Sequence, residues 1–161
     1  MGIEIERKFL VRDRSVLDRS TGTRYRQGYL SRDPDRTVRV REAGGRAFLT
    51  VKGRSEGATR AEFEYEIPAD DVEPLLAMCE APLIDKTRYL IDDAPRLWEV
   101  DVFHGANEGL VVAELELDAA DRPVEVPWWI GEEVTSDARH FNANLVAHPY
   151  RSWSRPSRKP G

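Results

Sequence analysis

Apolar and polar residues alternate along most of this chain, and the alternating runs stop at clusters of Gly, Pro, Asp or Ser. A period of two puts successive side chains on opposite faces of a strand, so the pattern predicts β-structure bounded by turns. Strands are predicted near 2–11, 24–31, 36–43, 46–54, 59–67, 84–91, 96–104 and 109–118. Asp33-Pro34-Asp35 separates the second from the third, and Gly44-Gly45 supplies a tight hairpin turn before the fourth. Two stretches break the alternation. Residues 69–80 carry Val72, Leu75, Leu76 and Cys79 on one stripe, with Asp70 and Asp71 suited to a helix N-terminus. A second helix is predicted over 137–147, after the turn-rich segment Pro127-Trp128-Trp129-Ile130-Gly131.

The polar faces are charged and sorted. Glu4, Glu6 and Lys8 share a face opposite Ile3, Ile5 and Phe9; taken alone, that strand fits an ordinary solvated face. The same division recurs, however, on strand after strand. Arg39 and Arg41 oppose Val38 and Val40; Lys52 and Arg54 oppose Leu49 and Val51; Lys86 pairs with Arg88. Glu62 and Glu64 oppose Phe63 and Tyr65; Glu99 and Asp101 oppose Trp98, Val100 and Val102; Glu114 and Glu116 oppose Ala113, Leu115 and Leu117. A wet face tolerates any polar residue, whereas these faces use almost only acids and bases, segregated by strand. The predicted fold is mainly β (α+β): a closed eight-stranded antiparallel β-barrel forming a charged tunnel, with flanking helices covering the apolar outer faces.

Composition narrows the class. The 161 residues suffice for one domain, expected over 1–149, and 33% of them are charged, 24 basic against 29 acidic. Because Arg151, Arg155, Arg158 and Lys159 fall in a tail expected to be flexible over 150–161, the body is more acidic still. That balance argues against nucleic acid as a partner. No apolar run reaches membrane-spanning length, so no membrane partner is expected. The one cysteine, Cys79, rules out a disulfide framework within the chain, and a cytoplasmic location follows most simply. His104, His140 and His148 lie apart from one another and from Cys79, which disfavours zinc and points to a hard cation with oxygen ligands.

A tunnel with basic pairs and acidic pairs suits a metal-bound polyphosphate: the bases take a dense polyanion, and the acids hold divalent metal against it. At this point the residues resemble a family, the triphosphate tunnel metalloenzymes or CYTH superfamily. The hallmark is Glu4-x-Glu6-x-Lys8. Further matches are Arg26-Gln27-Gly28-Tyr29-Leu30, the pair Arg39 and Arg41, Lys52, Glu62 with Glu64, and Lys86-Thr87-Arg88-Tyr89. Trp98-Glu99-Val100-Asp101-Val102-Phe103, Glu114-Leu115-Glu116, Gly131-Glu132-Glu133-Val134-Thr135 and Asn142-Ala143-Asn144 complete the set. Where the family often has Tyr followed by Ser or Lys before the last motif, this chain has His140 and Phe141.

The resemblance implies a triphosphate substrate and Mg²⁺ or Mn²⁺, and the short forms look most like inorganic triphosphatases. Lys8, Arg39, Arg41, Lys52, Arg54, Lys86 and Arg88, with Arg60 beside them, are expected on the triphosphate oxygens. Glu4, Glu114 and Glu116 are the first choice of metal ligands; Glu6, Glu62, Glu64, Glu99 and Asp101 are second choices, as further ligands or as partners that aim the basic residues. The catalytic base is expected to be a carboxylate acting through a metal-bound water, or Lys52 or Lys86 with its pKa lowered by neighbouring cations. Alternatives inside the family are a class IV adenylyl cyclase, a thiamine triphosphatase or a nucleoside triphosphatase. A non-catalytic polyphosphate-binding module is the alternative outside it. A closed barrel has no free sheet edge, so a monomer or a homodimer is equally consistent.

Overall fold

The structure is a computed structural model and describes residues 2–153. Nine strands form one antiparallel sheet: β1 (Ile3–Val11), β2 (Thr23–Asp33), β3 (Arg36–Ala43), β4 (Arg46–Gly53), β5 (Thr59–Ile67), β6 (Ile84–Asp93), β7 (Arg96–Phe103), β8 (Val111–Glu116) and β9 (Ile130–Glu133). Their order is β5-β4-β3-β2-β6-β7-β8-β1-β9, and an additional β1 to β5 pairing closes the first eight into a barrel. The two sides of β1 are used differently. One side pairs with β8 from Glu6 to Leu10. The other is divided: β5 takes Ile3 to Ile5, and β9 takes Phe9 and Val11. Between them the backbone of β1 is satisfied by loops: the Glu6 amide donates to the Ala58 carbonyl at 2.9 Å and the Lys8 amide donates to Thr135 Oγ1 at 3.0 Å. The wall at β1 is therefore stitched by loop residues as well as by the ladder.

The eight predicted strands are all present. β9 was not anticipated, because its four residues lie in a segment whose Pro127 and tryptophans read as a turn and which is too short to show alternation. A 3₁₀ helix at Arg14–Arg19 was also unforeseen. The predicted helices are shorter than their stripes: a 3₁₀ turn at Ala69–Asp71 leads into α1 (Val72–Ala77), and another at Ala138–His140 leads into α2 (Asn142–Ala147).

The apolar outer faces of the barrel are covered in three places. Val72 and Leu76 of α1 pack on Val40 and Ala47. Leu145 and Val146 of α2 pack with Tyr29, Ile84, Phe103 and Val112. The largest cluster joins Phe9, Trp98, Val100, Leu115 and Trp129, with Phe9 and Trp98 edge-to-face at 5.5 Å and Trp98 and Trp129 at 5.6 Å. Gly28 lets α1 and its following loop come in close: a Cβ at that position would stand 2.6 Å from the Cβ of Cys79 and 2.7 Å from Leu83.

Of the expected flexible tail, residues 154–161 lie outside the described residues, whereas Tyr150–Ser152 form a 3₁₀ turn and Trp153 packs. Its ring meets His140 at 5.2 Å and Tyr150 at 4.9 Å, Arg139 stacks over it, and its Nε1 donates to the His148 carbonyl at 2.9 Å. His140, where the family often has Tyr, thus serves as a buried packing partner of the chain's end. No helix among the described residues is long and apolar enough to cross a membrane.

Candidate active site

Strand register assembles the site. Lys8 stands opposite Glu114, Lys52 opposite Glu62, Arg88 opposite Asp101 and Glu4 opposite Arg60, so ladder pairing alone brings opposite charges within reach inside the barrel. The side chains then bond. Lys8 Nζ lies 2.6 Å from Glu114 and 2.8 Å from Glu6; Lys52 Nζ lies 2.9 Å from Glu4 and 3.3 Å from Glu62. Arg88 donates twice to Asp101, at 2.8 and 2.9 Å, and reaches Glu114 at 3.2 Å and Glu99 at 3.3 Å. Arg39 donates to Thr50 and lies 3.4 Å from Glu64. Arg41 and Arg88 stack on the ring of Tyr25, at 4.9 and 5.0 Å from its centre. Apart from the fully buried Asp101 and Thr50, these groups line a cavity of about 520 Å³.

Two ladder positions break the rule of opposites. Glu6 faces Glu116, and Glu99 faces Glu114. Like charges directly opposite are destabilising. The described residues contain two groups of carboxylates able to converge on an ion, Glu4 with Glu6 and Glu116, and Glu6 with Glu99 and Glu114, with oxygens within 4.8 Å of one another. Each group contains one of the repelling pairs, and Glu6 belongs to both. A hard divalent cation removes that repulsion and accepts this all-oxygen ligand set. The electrostatics agree: burial and then the charges of Glu99, Glu4, Glu6 and Glu62 push the Glu116 carboxyl up to about 7. Among the described residues Glu116 has no cationic partner.

Lys86 is the most confined cation, 1% exposed and 2.7 Å from Asp101, which is itself fully buried. Burial, and then Arg88 and Arg41 against the opposing pull of Asp101, bring its ammonium down to about 7. Lys8 moves the other way: burial lowers it, but Glu114 and Glu6 outweigh burial and hold it firmly protonated. Glu114, despite burial, is held well below the usual carboxylate range by Lys8 and Arg88.

The predicted residues fall into three groups. Lys8, Arg39, Arg41, Lys52, Lys86 and Arg88, with Glu4, Glu6, Glu99, Asp101, Glu114 and Glu116, converge inside the barrel. Of these, Asp101 lies in neither carboxylate group, since its two oxygens already accept three hydrogen bonds from Lys86 and Arg88. Glu62, Glu64 and Arg60 line the cavity without joining either carboxylate group, Arg60 donating to the Gly53 carbonyl and to Thr37. Arg54 sits at the rim, its side chain 64% exposed and paired with Asp35. Sequence reasoning assigned no role to the uncharged groups that join the network: Gln27, Thr50 and Asn142. Gln27 and Asn142 lay inside motifs matched to the family, and that was the only available signal, since a buried amide leaves no charge pattern.

A family model of the CYTH domain matches residues 2–150. The chain belongs to the CYTH family. It is 47% identical over 154 residues to an inorganic triphosphatase of Acetivibrio thermocellus, covering 95% of this chain and 99% of that protein. An inorganic triphosphatase of Nitrosomonas europaea is 38% identical over 150 residues, covering 89% and 96%. A crystal structure of an inorganic triphosphatase superposes with a TM-score of 0.62 at 35% identity, over 88% of this chain and 96% of that one. CYTH membership implies a divalent metal and a small phosphate-bearing substrate, and the two carboxylate groups are where the residues present fit the metal.

Proposed function

We propose that this CYTH protein hydrolyses inorganic triphosphate to pyrophosphate and phosphate with Mg²⁺ or Mn²⁺. One observation carries the reading: buried cations and two convergent carboxylate groups share a single cavity. Capture of a polyanion alone needs only the cations. In this reading Lys8, Arg39, Arg41, Lys52 and Arg88 exchange their carboxylate partners for phosphoryl oxygens. Arg39 is prepared for this, since its buried Nε has no partner among the described residues. Glu4, Glu6, Glu99, Glu114 and Glu116 hold the metal, which supplies charge neutralisation on the phosphoryl oxygens.

Lys86 is the base in this reading. With its pKa near 7, it is partly neutral at physiological pH, and its nitrogen takes a proton from the attacking water. Lys52, held between Glu4 and Glu62, serves as a phosphate contact. Incubating the protein with tripolyphosphate, ATP or thiamine triphosphate plus Mg²⁺ or Mn²⁺, and following phosphate, pyrophosphate and cyclic AMP, tests the reading. Tripolyphosphate should turn over fastest. Cyclic AMP as the main product, or binding without turnover, overturns it.

A further inference from the structure

A chain of hydrogen bonds links Arg41 of β3 to the buried Lys86 of β6 through a buried glutamine of β2 and an asparagine of α2, and its direction is fixed by chemistry. Arg41 stands opposite Gln27 across the β2–β3 ladder, and its Nε donates to Gln27 Oε1 at 2.7 Å. A guanidinium has donors and no acceptor, so this contact decides which end of the Gln27 amide is oxygen. The other end, Nε2, must then donate, and it does so to Asn142 Oδ1 at 3.2 Å. Lys86 Nζ, a donor as its ammonium, reaches the same Asn142 oxygen at 2.9 Å. Two donors therefore converge on one carbonyl, and the Gln27 contact, fixed in turn by Arg41, settles the orientation of the Asn142 amide. Gln27 is fully buried, so this support is rigid.

The consequence concerns the other half of that amide. Asn142 lines the cavity, and with its oxygen occupied its Nδ2 is left without a partner among the described residues. An unpaired pair of N–H donors beside Lys86, in a cavity otherwise walled by charges, is suited to an anionic oxygen. We propose that Asn142 is a substrate-contacting residue: Lys86 and Gln27 lock its carbonyl, and its free amide N–H donates to a phosphoryl oxygen of the bound triphosphate. A neutral donor has a use here that a further cation lacks. It binds phosphate without adding positive charge next to Lys86, where extra cations disfavour protonation of the lysine.

This inference rests on the triphosphatase reading, and the test separates the two. Tripolyphosphate binding to the full-length protein is measured by calorimetry without metal, and its hydrolysis is measured with Mg²⁺ or Mn²⁺, for wild type, Asn142→Ala and Asn142→Asp. Asn142→Ala should weaken binding about tenfold, the size of one hydrogen bond to a charged acceptor, with the loss falling on KM rather than kcat. Asn142→Asp keeps the shape and the acceptor for Lys86 and Gln27 but turns the donor into a second carboxylate oxygen, so it should bind more weakly than the alanine variant. It also carries the test if the alanine variant misfolds. Asn142→Asp binding as tightly as wild type, or Asn142→Ala within twofold of it, overturns the donor role while leaving the triphosphatase reading intact. Wild type that neither binds nor cleaves tripolyphosphate overturns both.

Discussion

Replacing Glu116 by Gln should make the metal-free protein more stable and the enzyme inactive. Glu116 stands in the ladder opposite Glu6, within reach of Glu4, and its carboxyl is pushed up to about 7 from the ordinary 4.5 by burial and then by the charges of Glu99, Glu4, Glu6 and Glu62. The folded pKa lies above the unfolded one. Between pH 4.5 and 7 the folded state therefore keeps a proton that the unfolded state has lost, and stability falls as pH rises through that window. A rise of this size corresponds to roughly 3 kcal/mol if fully expressed. Glu116 is an exposed residue lining the cavity, so screening reduces the cost at pH 8 to about 1 kcal/mol. Glutamine has nearly the same shape and no charge. Thermal unfolding in EDTA at pH 8 should then show Glu116→Gln melting about 2–4 °C above wild type, with the difference vanishing near pH 5. Adding Mn²⁺ should reverse the order, because wild type gains binding free energy that the variant cannot match. Triphosphate turnover should drop at least about a hundredfold, as expected for loss of a metal ligand or its close support. A variant that melts below wild type in EDTA at pH 8 refutes the repulsion argument, and full activity refutes the ligand assignment.

Three further outcomes follow from named contacts. Activity should rise with pH through about 7 as Lys86 loses its proton, and Lys86→Arg, which keeps the charge but cannot act as a base, should remove turnover while retaining tripolyphosphate binding; near-normal turnover in a pH-rate series eliminates Lys86 as the base. Arg54→Ala should change KM less than about threefold, because its partner Asp35 sits with it at the exposed rim, whereas Arg88→Ala should cost activity and roughly 3 kcal/mol or more of stability by leaving Asp101 and Glu114 short of their buried cation. Comparable losses in the two variants, by kinetics and urea denaturation, contradict this division. Gly28→Ala should destabilise by about 1–3 kcal/mol, since its methyl would fall 2.6 Å from the Cys79 Cβ, and unchanged thermal stability would show that α1 can move away.

The opening strand shows where sequence patterning reaches its limit. The alternation of Ile3, Ile5 and Phe9 with Glu4, Glu6 and Lys8 gives a strand and its two faces, because the side-chain period of a strand is two whatever surrounds it. Repeated on the other barrel strands, the same alternation gives the closed sheet and the charged interior. It does not give the partner of any charge. Glu6 could be grouped only loosely with the second-choice ligands until the register placed it opposite Glu116 and within both carboxylate groups. Asp101 has the same spacing as the candidate ligands around it, yet Lys86 and Arg88 consume its oxygens. Arg54 continues the face of Lys52 but emerges at the rim, because β4 ends at Gly53. β9 and the amide pair Gln27 and Asn142 left too little pattern to read, one through brevity and the other through lack of charge.

The sequence by itself thus determined the strands, which faces are charged, the closed barrel and the family, all consequences of local periodicity and ordered motifs. The tertiary structure decided which carboxylates converge, which lysine is stripped of water and which amide is left with a free donor. Those depend on ladder register and on burial, and both are properties of residues brought together from distant parts of the chain.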